Sequence, residues 1–400
     1  MKYFLQKLCD SAILALECLL GVIILDFLKF AKDNYQLTLD FLRKLCVIPA
    51  PSGQEDLRAE ACLAYMREFG FDNAYIDEAK NVICSIGNID EDCIAFLAHT
   101  DVVFPDTTPL PIKEDEEKIY CPGVGDDTAC VAVMLVCMKY LKEHNIQPKQ
   151  GLLFVANSGE EGLGNLKGCR QIFKDFGDRI KRMYGLDSWN HALTNRSVGS
   201  HRYRITAKTI GGHSFSDFGN PNAIAVLAGI IQDIYAIAVP HNEDSHTTYN
   251  VGTIQGGTSV NTIAQEATIL AEYRSDDVEC LETMENYFKD IFAKWTEICP
   301  ELEIERVGER PCMKGVDADE LAQMTAYAAR TQEKYSGIPA IIKSGSTDCN
   351  IPHSLGIPAL CFSIYEGQGV HTREEWLRKE SLIPGLATTM DIIYKEAGLL

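Results

Sequence analysis

Apolar residues in this chain fall into two patterns, short solid runs and longer stretches with helical spacing. Val82–Ile86, Cys93–Ala98, Gly151–Ala156 and Met183–Leu186 are short and almost wholly apolar. Such runs suit strands buried on both faces. Tyr35–Ile48, Glu55–Phe69 and Val131–Glu143 instead repeat at three and four residues. In the last of these, Val131, Met134, Leu135, Met138 and Leu141 share one face. Ala74–Ile76 adds a short strand, and Pro49-Ala-Pro-Ser-Gly53 is a turn. Strands alternating with helices predict an α/β fold, a mostly parallel sheet with helices on both faces.

The pattern changes near residue 198. Arg202–Thr209 alternates like a half-exposed strand. A helix is predicted over Asn222–Ile237, strands over Tyr249–Ile254 and Ala267–Arg274, a long helix over Val278–Cys299 and a strand over Leu302–Val307. This β-α-β-β-α-β order predicts an inserted ferredoxin-like α+β module. A helix then returns at Asp319–Lys334, with strands near Ala340–Lys343 and Ala359–Phe362 and a last helix over Pro384–Ala397. The expected domains are 35–197 with 311–400, an insert at 198–310, and a hydrophobic N-terminal extension at 1–34. No internal repeat or low-complexity segment stands out.

Within the extension, Cys18–Leu25 is an unbroken apolar run, but Asp10, Glu17, Asp26 and Lys29 interrupt the wider segment. A membrane span wants about 20 apolar residues with few charges. A secretory signal wants an uncharged core and a small-residue cleavage site. Neither is met cleanly, so an extra helix, or a start codon placed too far upstream, is favoured over a membrane anchor.

The net charge of −20 over 400 residues removes one class of partner. Nucleic-acid binding needs a basic face. The fifteen cysteines are scattered, with no C-x-x-C. An odd, unpatterned set is not a disulfide framework, and reduced thiols in a cytoplasm are the simplest account.

The candidate chemistry sits where predicted strands end. Ala95–Val103 reads as an apolar strand ending in His99, Thr100 and Asp101. Ligands of open α/β sheets bind at such ends. Asp101 can hold one ring nitrogen of His99 and fix its tautomer. Cys121–Asp127 is a glycine-bearing loop before a helix, and its Asp pair also reads as an N-cap. Gly159-Glu-Glu-Gly162 follows a strand, and two adjacent carboxylates repel unless a cation is near. Asp187 ends another strand, and His371 follows the Ala359–Phe362 strand in Gly367–His371. Each alone has a plain structural reading. Together they offer N and O ligands for two cations. One carboxylate can bridge such a pair about 3.5–4 Å apart, leaving one of Glu160 and Glu161 free to act as a base.

At this point the chain resembles the M20 family of dinuclear zinc hydrolases, which covers aminopeptidases, dipeptidases and N-acyl-amino-acid deacylases. The matching motifs run from about Pro49 to the C-terminus. They are Pro49–Gly53, His99-Thr-Asp101, Gly123-Val-Gly-Asp-Asp127, Glu160-Glu-Gly162, Gly211-Gly-His-Ser214, Ser259-Val-Asn-Thr-Ile263, Ser344-Gly-Ser-Thr-Asp348 and Val370–Trp376. The resemblance implies two Zn2+ per chain, with Co2+ or Mn2+ as substitutes. His99, Asp126 and Asp187 would hold one ion and Asp126, Glu161 and His371 the other, with Asp126 bridging because the family's bridging residue is the first of the Asp pair. Asp101 would orient His99, and Glu160 would be the general base. The insert would be a lid. Its His213 would stabilise the oxyanion, its Asn261 and Arg274 would grip substrate, and Ser346 and Thr347 would face substrate from a loop. Asp348 reads equally as a turn residue. His144, His241, His246 and His353 match no motif and read as surface or core histidines. In one departure, Thr128-Ala-Cys130 stands where the family often has a lysine and glycines.

The expected activity is cleavage of short peptides, as an aminopeptidase or dipeptidase. In the family, Asp at the position of Asp187 goes with aminopeptidases and dipeptidases, and Glu with deacylases and carboxypeptidases. The rivals are an N-acyl-amino-acid deacylase with the same machinery, a peptide-binding relative without catalysis, and another two-metal aminopeptidase family. The intact ligand set and Glu160 argue against the second, and the long lid-like insert against the third. The Asn222–Ile237 helix has more apolar surface than one buried stripe needs. The surplus points to a second packing partner, and the resemblance implies a homodimer joined through the lids, with His213 reaching the partner's site.

Overall fold

The computed structural model describes residues 26–400, so the Cys18–Leu25 run lies outside the described residues. An eight-stranded sheet forms the larger part. Its order is Tyr75–Ile76, Val82–Ile86, Gly151–Asn157, Cys93–His99, Ile180–Gly185, Ala359–Phe362, Ala192–Ser197 and Ile341–Gly345. The four strands from Gly151–Asn157 to Ala359–Phe362 run parallel. Cys93–His99 and Gly151–Asn157 are buried at every position, which accounts for their solid apolar runs.

Alternation along these strands feeds two cores. Phe96 and Phe154, with ring centroids 5.5 Å apart, face helices Phe27–Cys46, Cys130–Glu143 and Leu382–Glu396. Leu97, Leu153 and Val155 face helix Lys167–Phe176 on the other side. The expected sheet with helices on both faces is therefore present.

The first described helix corrects one boundary. It begins at Phe27, not Tyr35, and Asp26 caps it by accepting from the Lys29 amide at 2.9 Å. Phe27 packs edge-on against Tyr394 and Phe30 against Tyr140. Residues 27–34 thus belong to the catalytic sheet's helical layer rather than to an extension ending at residue 34. Exposed Lys29, Lys32 and Asp33 masked the Phe27, Phe30 and Ala31 stripe. The Ala192–Ser197 strand and the Lys167–Phe176 helix were not among the predicted elements, although Cys169, Ile172, Phe173 and Phe176 repeat at helical spacing in the second. The strand has only two apolar residues, and the helix is short.

Residues 199–310 fold on a core of their own. Their antiparallel sheet runs Thr247–Gly256, Glu266–Ser275, Gly199–Lys208, Leu302–Arg310, the ferredoxin-like order. One face packs Tyr203, Ile205, Ile269 and Tyr273 against helices Ala223–Tyr235 and Val278–Ile298. The other face carries Arg202, Glu272, Arg274 and Arg310. It meets the larger domain, where Arg202 donates to the Gly162 carbonyl at 2.5 Å and Arg310 to Glu160.

Candidate active site

His99 closes its strand, Asp187 follows the end of the Ile180–Gly185 strand, and Glu160 and Glu161 follow Gly151–Asn157. The parallel strands therefore deliver these side chains to one end of the sheet. There Asp126 stands between two histidines. Its Oδ1 is 3.0 Å from His99 Nε2, and its Oδ2 is 3.1 Å from His371 Nε2. His371 Nε2 is also 2.9 Å from Glu161 Oε1. Donor atoms of His99, Asp126, Asp127 and Asp187 lie within 4.8 Å of one another, and so do those of Asp126, Glu161 and His371. Asp126 is common to both sets. Asp127 Oδ2 is engaged elsewhere, accepting the His99 amide at 2.9 Å.

Asp101 does more than orient His99. Its fully buried carboxylate lies 3.5 Å from His99 Nδ1 and accepts the Ser52 hydroxyl at 2.6 Å. Its two oxygens also accept the amides of Glu160 and Glu161, each at 3.0 Å. One carboxylate thus fixes the His99 ring and the backbone of both glutamates. Ser52 supplies the reason for the Pro49–Gly53 turn beside the site.

Glu375 does the same for the Asp126 loop, and sequence reasoning gave it no role. It is buried and accepts the amides of Gly123 at 2.7 Å, Gly125 at 2.9 Å and Asp126 at 3.0 Å. The loop is wedged as well. A Cβ on Gly125 would meet the Tyr365 hydroxyl at 2.3 Å. The only signal for Glu375 was its place in the Val370–Trp376 motif.

Arg310, also unforeseen, ends the last lid strand. Its buried guanidinium donates to Glu160 Oε1 at 3.0 Å, to the Glu160 carbonyl, and to Ser346 O and Oγ at 3.1 and 3.2 Å. It lay just past the predicted Leu302–Val307 strand.

The charges are poorly balanced. Burial opposes a charged His99, but the carboxylates of Asp127, Asp101 and Asp126 outweigh it and hold the ring well above its ordinary value. Hydrogen bonds to Asp126 and Glu161 raise His371 to about 10. Burial would raise Asp126 too, yet its bonds to His371 and His99 keep it well below the ordinary carboxylate range. The other carboxylates find too little compensation. Burial lifts Glu161 to about 7, and burial with the Asp126 charge pushes Asp187 well above the usual range. Imidazoles and crowded carboxylates short of positive charge form a donor set that fits divalent cations with N and O ligands.

A cleft of about 390 Å³ opens over this cluster. Asp126, Glu160, Glu161, Asp187 and His371 line it, with Arg274, Ser346 and Thr347 from the expected substrate set. Arg274 already holds Glu272, Nε to Oε1 at 2.8 Å and Nη2 to Oε2 at 3.1 Å. The Thr347 hydroxyl is used locally, accepting the Cys349 amide. Asp348 is buried behind the cleft, accepting from Asn157 Nδ2 at 2.7 Å. His353 is a core histidine bonded to Ser197 and the Ala359 carbonyl, whereas His144, His241 and His246 are exposed. His213 and Asn261 do not line the cleft. They sit together at an exposed tip of the lid, where the Ser214 amide donates to the Asn261 carbonyl at 2.9 Å.

Residues 95–395 match the family model described as Peptidase family M20/M25/M40. The uncharacterized protein YqjE of Bacillus subtilis (strain 168) is 26% identical over 328 residues, 80% of this chain and 85% of that protein. A protein of Ajellomyces dermatitidis named probable carboxypeptidase is 24% identical over 279 residues, 63% of this chain and 64% of its own. The crystal structure of aminopeptidase PepT from Bacillus cereus ATCC 10987 superposes with a TM-score of 0.70 at 22% identity, covering 91% of this chain and 99% of that one.

Proposed function

This chain belongs to peptidase family M20/M25/M40, and from that premise we propose a dinuclear zinc hydrolase that cleaves short peptides as an aminopeptidase or dipeptidase. The observation that carries the reading is Asp126, with one oxygen 3.0 Å from His99 and the other 3.1 Å from His371. A carboxylate so placed suits a bridge between two ions. His99, Asp126 and Asp187 would hold one, and Asp126, Glu161 and His371 the other. When bound, such ions supply a water of lowered pKa and polarise the scissile carbonyl.

The chain's own residues then divide the work. Arg310 occupies Glu160 Oε1, which leaves Oε2 to take the proton of the attacking water and return it to the leaving nitrogen. Asp101 keeps Glu160 in register through its amide. Ser346 and Thr347 line the floor where substrate would rest, and Arg274 keeps guanidinium N–H groups free of Glu272 for a carboxylate.

His213 supports an oxyanion role through its tautomer. Its Nδ1 accepts the amides of Phe215 at 3.2 Å and Ser216 at 3.3 Å. The ring hydrogen is therefore on Nε2, where a neutral donor is available. Phe215, Phe218 and Val260 at the same tip are 87%, 90% and 102% exposed. A patch of that kind marks an interaction surface. We read it as part of a lid-to-lid homodimer in which His213 and Asn261 serve the partner's cleft. No described helix is long and apolar enough to cross a membrane. Every described cysteine is a free buried thiol, which supports a reducing, cytoplasmic setting.

The test is an assay of the zinc-loaded protein on di- and tripeptides with free amino termini beside N-acetyl amino acids. Peptides should be the faster substrates. Faster turnover of any N-acetyl amino acid than of every peptide would make this a deacylase.

A further inference from the structure

The lining of the cleft also carries a basic set, in a chain whose net charge is −20. Arg202, Arg274, Arg310 and Lys343 all line it. The first three share the outer face of the lid sheet. Strand pairing sets Arg202 against Glu272, and both Arg274 and Arg310 against Ser200. Lys343 comes from the other side, on an edge strand of the large sheet paired with Thr194.

Two of these cations have a matching anion and two do not. Arg310 holds Glu160 at 3.0 Å. Arg274 engages both oxygens of Glu272. Arg202 reaches the same Glu272 at 3.2 Å and the Gly162 carbonyl, but has no carboxylate of its own. Lys343 has no carboxylate within ion-pair distance among the described residues. It stands 4.9 Å over the ring of Trp189, which also lines the cleft. Every short peptide brings one terminal carboxylate. A C-terminal aspartate or glutamate brings two, on one residue, which equals the number of unmatched cations.

Resting on the peptidase reading above, we propose that this enzyme selects short peptides whose C-terminal, leaving residue is aspartate or glutamate. Arg202 and Lys343 are the specificity residues that receive its two carboxylates. The planar Arg202 fork suits a carboxylate approached edge-on. Lys343, at the rim, acts as a mobile point charge. With Arg274 paired to Glu272, the terminal-carboxylate grip expected of it is shared here with Arg202.

The experiment compares the zinc-loaded full-length protein on isosteric dipeptide pairs, Ala-Glu with Ala-Gln and Leu-Glu with Leu-Gln. The Glu peptide of each pair should have a kcat/KM about tenfold higher, the value of one good charge-assisted contact. The difference should lie in KM and shrink with added salt, because the rim charge is screened. Lys343→Gln and Arg202→Gln should each bring the ratio close to one, Arg202→Lys should keep part of it, and Lys343→Glu should reverse it. Equal cleavage of both members of each pair by the wild type would overturn the selectivity and leave the peptidase reading standing. A Glu preference that survives Lys343→Gln and Arg202→Gln would overturn the subsite. Cleavage of no peptide at all would overturn the reading and the proposal together.

Discussion

Replacing Glu375 with glutamine changes one atom that matters. Both backbone amides on the Oε1 side, Gly125 and Asp126, would keep an acceptor. On the Oε2 side an NH2 group would face the Gly123 amide, now 2.7 Å from oxygen. Two donors would then point at each other in a buried site. The loop has little room to turn away. A Cβ at Gly123 would come within 2.4 Å of Val102, and one at Gly125 within 2.3 Å of Tyr365. An orphaned buried donor costs roughly 1–3 kcal/mol, and losing the charge on the acceptor weakens the two bonds that remain.

We expect Glu375→Gln to destabilise the protein by about 2–3 kcal/mol, a fall of several degrees in Tm for a chain of this size. Part of that should appear as weaker metal binding, because Asp126 loses the support that aims it. Partners of this kind are typically worth 10–100-fold in metal affinity. Chelator competition on the zinc-loaded variant measures the second effect, and thermal melting of metal-free protein measures the first. Glu374→Gln is the control. Glu374 is exposed, and its replacement should change either quantity by less than about 0.5 kcal/mol. Unchanged zinc affinity and unchanged melting in Glu375→Gln would refute the view that this carboxylate holds the Asp126 loop.

Three further outcomes are expected. Glu160→Ala should retain its metals by elemental analysis while losing about 10²–10⁴ of the rate, since it removes the base and no ligand; full activity would sink the mechanism. His353 is held by burial at about 4, below its ordinary 6.5, so the unfolded chain takes up the proton first. Its contribution is whole above 6.5 and is lost as the pH falls toward 4, about 3 kcal/mol in all; His353→Gln should lose less stability on acidification, and equal acid sensitivity of the metal-free proteins would refute the assignment. Light scattering should give twice the 44.4 kDa chain mass, and mixing His213→Ala with Glu160→Ala protein after subunit exchange should restore about a quarter of wild-type activity; no rescue despite proven exchange would place His213 in its own chain's site.

The strands that deliver the chemistry were legible because central parallel strands are apolar on both faces. Ala359–Phe362, buried at every position and parallel to Ile180–Gly185, matches its predicted limits for that reason. His99 and Asp187 stood out as the first polar groups after such runs. The residues that hold the site in place were not legible. Glu375 and Arg310 act across 249 and 150 residues of chain, and no local periodicity encodes a contact of that range. Asp101 was visible as a partner of His99, but its grip on two backbone amides needed the fold. Ala192–Ser197 failed for another reason. It sits between two neighbours in the sheet, yet it is mostly polar because the site lies at its end, and Thr194 lines the cleft.

The same limit applies to the lid. Its sequence pattern predicted the sheet and both helices, and the strand alternation that buries Tyr203 and Tyr273 necessarily turns Arg202, Glu272 and Arg274 toward the cleft. The short pairing of Gly212–His213 with Thr262–Ile263 lies outside that four-stranded sheet. It joins the two loops that carry the expected oxyanion donor and the expected Asn261 grip, so these residues form one unit before any substrate arrives. That unit is exposed, and its His213 Nδ1 is already tied to two amides. Within one chain, the proposed ligands and base gather in the cleft while the proposed donor lies elsewhere, its Nδ1 held by two amides. A site divided in this way requires a further step to become complete, whether by lid closure or by a second chain. The subunit-exchange experiment separates these, because only the second lets an inactive Glu160→Ala chain donate its His213.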